Sequence, residues 1–299
     1  MEYLDEEKVR SLLTYEALIP AVERALIDLS AGKIQQPVRS ILRVPQYEGI
    51  FALMPAVDGD LMGVKLVTFY EKNVAQPTHQ AVIQLLSAKT GEPLIAMDGR
   101  LITEMRTAAV SAIATRLFAS KDARVLAILG SGVQARSHLQ ALRMVRDFHE
   151  VRVWSRTSGH ARRFASEFGV TAANGVEQAT GGADVVVSVA ATREPLVRGE
   201  WLGEQTLVCA VGAVTPDRRE LDDAAMNAAI VVESQEAAIR ESGDVIGSGT
   251  PIYAEIGEIL AGARPIPAGR VVFKSLGVAA ADMAAAGAVW RKVQSLAAD

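Results

Sequence analysis

Three basic side chains in the first part of the chain have the setting to act on a small anionic molecule. Lys65 lies in the run Met62-Gly63-Val64-Lys65-Leu66-Val67, and Arg106 stands at the start of an otherwise apolar helical stretch, Met105–Thr115. Flanks this apolar bury the cation, and a buried cation requires an anionic partner. A substrate carboxylate meets that need, and arginine suits it because its planar fork binds two oxygens at once. Arg39 stands in the strand-like segment 38–44. There it either joins the other two or points outward into solvent.

A second constellation lies further along. The apolar run Val125–Leu129 passes directly into Gly130-Ser131-Gly132-Val133-Gln134-Ala135 and then into a helical pattern. This is a G-x-G-x-x-A fingerprint in its strand–turn–helix setting, and it predicts a dinucleotide site. Gly130 permits the tight turn, and Gly132 lets the backbone approach a pyrophosphate. Ala135 lets helix and strand pack closely, and the helix start presents amide N–H groups to the phosphates. The next strand-like run ends in Trp154-Ser155-Arg156-Thr157, with no acid to accept bonds from a ribose 2′-hydroxyl. One arginine between two hydroxyls suits a 2′-phosphate instead. NADP(H) is therefore the preferred cofactor and NAD(H) the alternative, the latter if Arg156 is only a solvated residue at a strand end.

The elements that must hold these residues follow from periodicity. Residues 4–13 form an amphipathic pattern opened by Asp5, and Thr14 offers an N-cap to a second helix that stops near Gly32. Pro20 lies too deep for a first-turn proline and predicts a kink or a later start. Residues 38–44, 50–57, 62–70, 81–88 and 93–98 are short, rich in Val, Ile and aromatics, and divided by Gly, Asp and Pro, as in an antiparallel block. A helix is expected from Thr103 to near Lys121. After the fingerprint, strands at 151–154, 183–190, 206–213, 228–234 and 271–277, with a weaker one at 170–173, alternate with helical stretches such as 158–168. That alternation predicts a doubly wound parallel sheet. The alanine-rich tail reads as a helix that returns to the N-terminal part. The expected lobes are 1–118 with 278–299, of α+β type, and 119–277.

A chain of 299 residues has ample length for two cores. Its net charge of −4 gives no ground for a nucleic-acid or anionic-membrane partner. Cys209, the single cysteine, cannot form an internal disulfide, and a reduced, cytoplasmic setting is expected. Residues 1–13 are acidic and lack a signal-peptide layout. No window is apolar enough to span a membrane. His138, His149 and His160 have no metal-ligand spacing, so no metal is expected.

Blocks along nearly the whole chain carry a family resemblance: QPVRS (36–40), GVKLVTFYEKN (63–73), PTHQAVI (77–83), MRTAAVSAIAT (105–115), LGSGVQARSHLQAL (129–142), VWSRT (153–157), TPDRRELDD (215–223), ESQEAAIRESGDV (233–245) and FKSLGVAAADMAAA (273–286). In these the chain resembles the ornithine cyclodeaminase/mu-crystallin family, and more closely its mu-crystallin branch. The resemblance implies a substrate and dimerisation lobe, a Rossmann lobe, an active site in the cleft between them, and a homodimer formed by sheet extension. It implies that Arg39 and Arg106 hold a substrate carboxylate while Lys65 contacts the reacting amine or imine. Buried beside two cations, such a lysine exchanges its proton near neutrality.

His79 lies in a family-like motif as a candidate cleft residue, although a lone histidine is more often structural. Met54, with Phe69, Tyr70 and Glu71, is a candidate for the far end of the substrate, which spacing does not separate from core. Expected cofactor contacts are Gly130, Ser131, Gly132, Val133, Gln134, Ser155, Arg156 and Thr157, with Ala190, Val211, Ser275 and Gly277. Ornithine cyclodeaminases carry an aspartate where this chain has Val214, and Asp217 matches a different position beyond the proline. Valine cannot exchange a proton, which argues against the lyase. The resemblance then implies NADPH-dependent ketimine reduction, with Δ1-pyrroline-2-carboxylate or Δ1-piperideine-2-carboxylate giving L-proline or L-pipecolate. The alternatives are an amino-acid dehydrogenase of the alanine dehydrogenase type acting on linear imino acids, the lyase itself, and a non-catalytic NADPH-dependent small-molecule binder.

Overall fold

Alternating burial along the central strands at 49–58, 61–69 and 79–87 governs the first part of the chain. The computed structural model describes residues 2–298, residue 298 by its backbone alone. Residues up to Arg106 and from Gly277 onward form one compact unit, and Thr107–Leu276 form a second. The division falls inside a helix, ahead of the break expected at 118/119.

The first unit holds β1 (Tyr3–Leu4), β2 (Ser40–Val44), β3 (Gly49–Asp58), β4 (Leu61–Phe69), β5 (His79–Ser87) and β6 (Pro93–Asp98), in the sheet order β1-β6-β5-β4-β3-β2. β2 to β6 pair antiparallel, as expected, and β1 adds a parallel edge on β6. Residue 4 therefore belongs to a strand, and helix α1 (Glu6–Leu12) starts after Asp5, whose carboxylate accepts the Lys8 N–H at 2.9 Å. Helix α2 (Tyr15–Ser30) starts ahead of Pro20 and continues through it, which excludes the later start of the two expected outcomes, a kink or a later start. Burial of Leu18, Ile19, Val22 and Leu26 at about 1.5–3 kcal/mol each outweighs the roughly 3 kcal/mol that an interior proline costs.

Helix α3 (Arg100–Phe118) begins before the expected Thr103, because Asp98 accepts the Leu101 N–H at 3.0 Å and caps it. The alanine-rich tail is helix α11 (Ala279–Ala298), which packs on α2 and on β3, β4 and β5. On the sheet face, Met54, Lys65, Ile83 and Met97 are successive cross-strand partners, and all four are buried. Lys65 thus sits in an otherwise apolar row.

The second unit holds eight parallel strands: β7 (Val125–Leu129), β8 (Glu150–Trp154), β9 (Thr171–Ala172), β10 (Val185–Ser188), β11 (Leu207–Ala210), β12 (Ala229–Val232), β13 (Ile252–Glu255) and β14 (Val271–Lys274). Their order is β13-β12-β14-β11-β10-β7-β8-β9, a doubly wound sheet. Seven were expected from continuous apolar runs. β13 was not, because its run is broken by Tyr253 and Glu255 and packs at the sheet edge on β12. The helices of this unit, after α3, are α4 (Val133–Arg143), α5 (Ser158–Phe168), α6 (Val176–Thr180), α7 (Asp223–Met226), α8 (Gln235–Glu241), α9 (Gly243–Ser248) and α10 (Ile256–Leu260). Cys209 is buried in β11, and burial pushes its thiol up to about 12, which makes it an inert core residue. Among the described residues no helix is long and apolar enough to cross a membrane.

Candidate functional site

The first unit gathers the cations around a residue that periodicity alone did not single out. Asp282, in the first turn of α11, is fully buried. Its Oδ2 lies 2.7 Å from Lys65 Nζ, and its Oδ1 accepts a hydrogen bond from Arg106 Nε at 2.9 Å. Burial alone would raise its pKa, but Arg106 and Lys65 hold the carboxyl below the usual range. One carboxylate thus serves two buried cations, and a positive charge is left over.

The surplus falls on two groups. Burial is the main cause that brings Lys65 down to about 7; Asp282 opposes the shift, while Arg106 and Arg39 add to it. Arg106 turns its Nε to Asp282, and its buried Nη1 has no hydrogen-bond partner among the described residues. A buried guanidinium nitrogen left in this state costs free energy that an incoming carboxylate would recover. Arg39 lies just ahead of β2 and not within a strand, and its Nη2 donates to the Gly277 carbonyl at 2.7 Å. Gly277 has φ +77°, and a Cβ there would stand 2.5 Å from Arg106 Nη1. Gly277, one of the expected cofactor contacts, thus seats the two guanidinium groups.

His79 opens β5 half-buried, and burial, with Lys65 and Arg106, lowers its imidazole to about 4. It is therefore neutral at ordinary pH. Met54 is the cross-strand partner of Lys65, buried in the same row.

The second unit shapes the turn after β7. Gly130 has φ +128°, its N–H donates to Trp154 O at 2.8 Å, and a Cβ would stand 2.9 Å from Val189. Only glycine fits there. At Gly132, the N-cap of α4, a Cβ would meet nothing within 4 Å. The open space lies over the first amides of α4, at Val133 and Gln134, which have no partner within the helix. Ser131 Oγ donates to Ser155 Oγ at 3.1 Å, tying the turn to the end of β8, where Arg156 and Thr157 are exposed. Buried His138 fixes the first turn of α4 by donating from Nδ1 to Gln134 O at 2.7 Å, with Nε2 3.0 Å from Ser111 Oγ. Burial lowers this imidazole to about 4, so its role is structural.

Beside the turn lies a depression of about 270 Å³ lined by Ser131, Gly132, Arg136, His160, Arg163 and Phe164. Arg136 is ion-paired with Glu167 and lies over the rings of Phe164 and Phe168. The turn residues therefore fit a pyrophosphate, with basic side chains to one side.

Ala190, Val211 and Ser275 follow the C-terminal ends of β10, β11 and β14. The Ser275 hydroxyl is engaged by Glu233 at 3.0 Å. Val214 packs half-buried on the unit's apolar core, and exposed Asp217 accepts from Thr215 Oγ1 at 2.7 Å. Asp282 was legible by the argument used for Lys65, in reverse: it is a lone acid in an apolar helical run.

The description of the ornithine cyclodeaminase/mu-crystallin family matches residues 2–296. The chain is 44% identical over 300 residues to the ketimine reductase mu-crystallin of Mus musculus, covering 96% of each. Among solved structures, Thermococcus litoralis Δ1-pyrroline-2-carboxylate reductase in complex with NADH and L-proline is 33% identical, with a TM-score of 0.93 over 99% of this chain and 98% of that one. An archaeal alanine dehydrogenase dimer with bound NAD is 32% identical, with a TM-score of 0.93 over 99% and 97%.

Proposed function

The chain belongs to the ornithine cyclodeaminase/mu-crystallin family, and we propose that it is an NADPH-dependent reductase of imino acids. Its substrates are cyclic ketimines bearing an α-carboxylate, such as Δ1-pyrroline-2-carboxylate or Δ1-piperideine-2-carboxylate, and its products are L-amino acids such as L-proline or L-pipecolate. The observation that carries this reading is the unpartnered, buried Nη1 of Arg106 beside a lysine brought down to about 7.

Arg106 and Arg39 bind the substrate carboxylate. Asp282 holds the Arg106 fork by its Nε, so that the Nη side is presented to the ligand. Lys65, poised near neutrality, donates the proton that the imine nitrogen takes up as the C=N bond is reduced. His79 and Met54 border the same cluster as neutral groups. A reduced nicotinamide, when bound, would supply the hydride for the imine carbon. Gly130, Ser131, Gly132, Val133 and Gln134 hold its pyrophosphate. Ser155, Arg156 and Thr157 take the 2′-phosphate. That preference for NADPH over NADH rests on the missing acid at the end of β8 and on the basic side chains of the adjoining depression.

The relatives include a pyrroline-2-carboxylate reductase solved with NADH and L-proline. The alanine dehydrogenase likeness keeps linear imino acids among the substrates, and its dimer supports a homodimer here. A single cysteine, buried, suits a reducing, cytoplasmic setting. Loss of NADPH absorbance with Δ1-pyrroline-2-carboxylate tests the proposal. Tight NADPH binding with no loss on any cyclic or linear imino acid would leave a binding protein. Ammonia and proline released from L-ornithine with NAD would restore the lyase despite Val214.

A further inference from the structure

The second unit contains an ion cluster that the reaction above does not use. Glu220, Asp244 and Lys274 are each fully buried. Lys274 Nζ donates to Glu220 Oε1 at 2.7 Å and lies 3.0 Å from Asp244 Oδ2. The Glu220 carboxylate accepts the N–H groups of Gly212 and Ala213, each at 3.1 Å. Asp244 Oδ1 accepts those of Glu220 and Leu221, at 2.9 and 3.0 Å. Buried ion clusters of this kind are seldom the most stable filling for a core. What this one does is fix backbone directions in the segment after β11 and at the end of β14. Gly212 lies so close to Ala190 that a Cβ would stand 2.3 Å from the Ala190 carbonyl oxygen. Three strand ends, those of β10, β11 and β14, are thereby locked to one another.

Sheet order gives those ends a ligand. The phosphate turn follows β7 and the 2′-phosphate residues follow β8, so the adenosine half belongs to the β8 side of β7. β10, β11 and β14 lie in that order on the opposite side. We propose that Glu220, Lys274 and Asp244 are positioning residues for the nicotinamide half of the cofactor, acting through the Val211–Ala213 segment and Ser275. The proposal rests on the cofactor part of the functional reading and not on the imine substrate.

The test is calorimetric titration of the full-length protein with NADPH and with 2′-phospho-ADP-ribose, which lacks only the nicotinamide. The variants are Glu220→Gln, the pair Glu220→Gln/Lys274→Met, which keeps the net charge of the cluster, and Gly212→Ala, which keeps all three charged side chains and displaces the segment they hold. Leaving buried polar partners of the nicotinamide misaligned weakens binding on the order of ten- to a hundredfold. NADPH should therefore weaken roughly ten- to a hundredfold while the fragment stays within about twofold. Equal weakening of both ligands, as a merely structural role requires, would overturn the proposal; so would unchanged NADPH binding in the variants that fold. Wild-type protein that binds neither ligand would refute the cofactor reading as well. The expected split in a protein that reduces no imine would refute the reductase reading alone.

Discussion

Replacing Asp282 with asparagine keeps the shape of the side chain and removes the charge shared by Lys65 and Arg106. Lys65 is brought to about 7 chiefly by burial, and Asp282 is what keeps it from falling further. At an effective dielectric near 20, opposite charges about 4 Å apart attract by about 4 kcal/mol. If the amide dipole recovers half of this, about 2 kcal/mol is lost, which exceeds one pK unit. With protonated Lys65 as the proposed proton donor, kcat/KM for the imino acid should fall as pH rises through about 7 in the wild type. In Asp282→Asn that fall should move to lower pH by more than one unit. KM should rise as well, because the oxygen that aims Arg106 loses its charge and holds the guanidinium less firmly. The assay is the pH dependence of NADPH consumption with Δ1-pyrroline-2-carboxylate, alongside the NADPH Kd, which should not change. A profile superimposable on that of the wild type would refute the assignment of Lys65 as donor and of Asp282 as its electrostatic partner.

Lys65→Met should abolish turnover while leaving Tm unchanged or higher, since the pKa of this lysine is lowered and the fold therefore disfavours its charged form; a large fall in Tm on thermal melting would contradict that sign. By the same linkage, stability from Lys65 is present above its unfolded pKa and is lost as pH falls toward about 7, so wild type should gain stability relative to Lys65→Met between neutral and alkaline pH in denaturant titrations. Gly277→Ala forces a Cβ into the left-handed region against Arg106 Nη1 and should cost about 1–3 kcal/mol with a raised imino-acid KM; unchanged kinetics would mean Arg106 is not held there. Arg156→Ala should weaken NADPH far more than NADH in paired titrations, and equal weakening would place the arginine away from the 2′-phosphate.

Much of this arrangement was legible because burial and polarity conflict where chemistry is done. Apart from the edge strands β1 and β13, the strands of both sheets follow from apolar runs and alternation, and the Gly130–Ala135 turn follows from glycine's tolerance of φ +128°. Lys65 and Arg106 stood out as charges in apolar surroundings. Arg39 was placed in a strand because its neighbours are strand formers, but its backbone lies ahead of β2 and its guanidinium reaches a carbonyl far along the chain. Contacts across such separations leave no local pattern. The Glu220–Asp244–Lys274 cluster was missed for the same reason: each member looks like an ordinary charged residue until the fold brings its counter-charge within 3 Å. Pro20 shows the reverse case: a local signal for a later helix start is outweighed by the buried face of Leu18, Ile19, Val22, Ala25 and Leu26.

The central claim is that the cation cluster selects its substrate by the carboxylate, through the unpartnered Nη1 of Arg106. Comparing NADPH consumption on Δ1-pyrroline-2-carboxylate with that on Δ1-pyrroline, which lacks only the carboxylate, tests this most directly. Leaving a buried charge unpaired costs about 2–5 kcal/mol, so kcat/KM should drop for Δ1-pyrroline by roughly 30- to 4000-fold. Comparable rates on the two imines would contradict it.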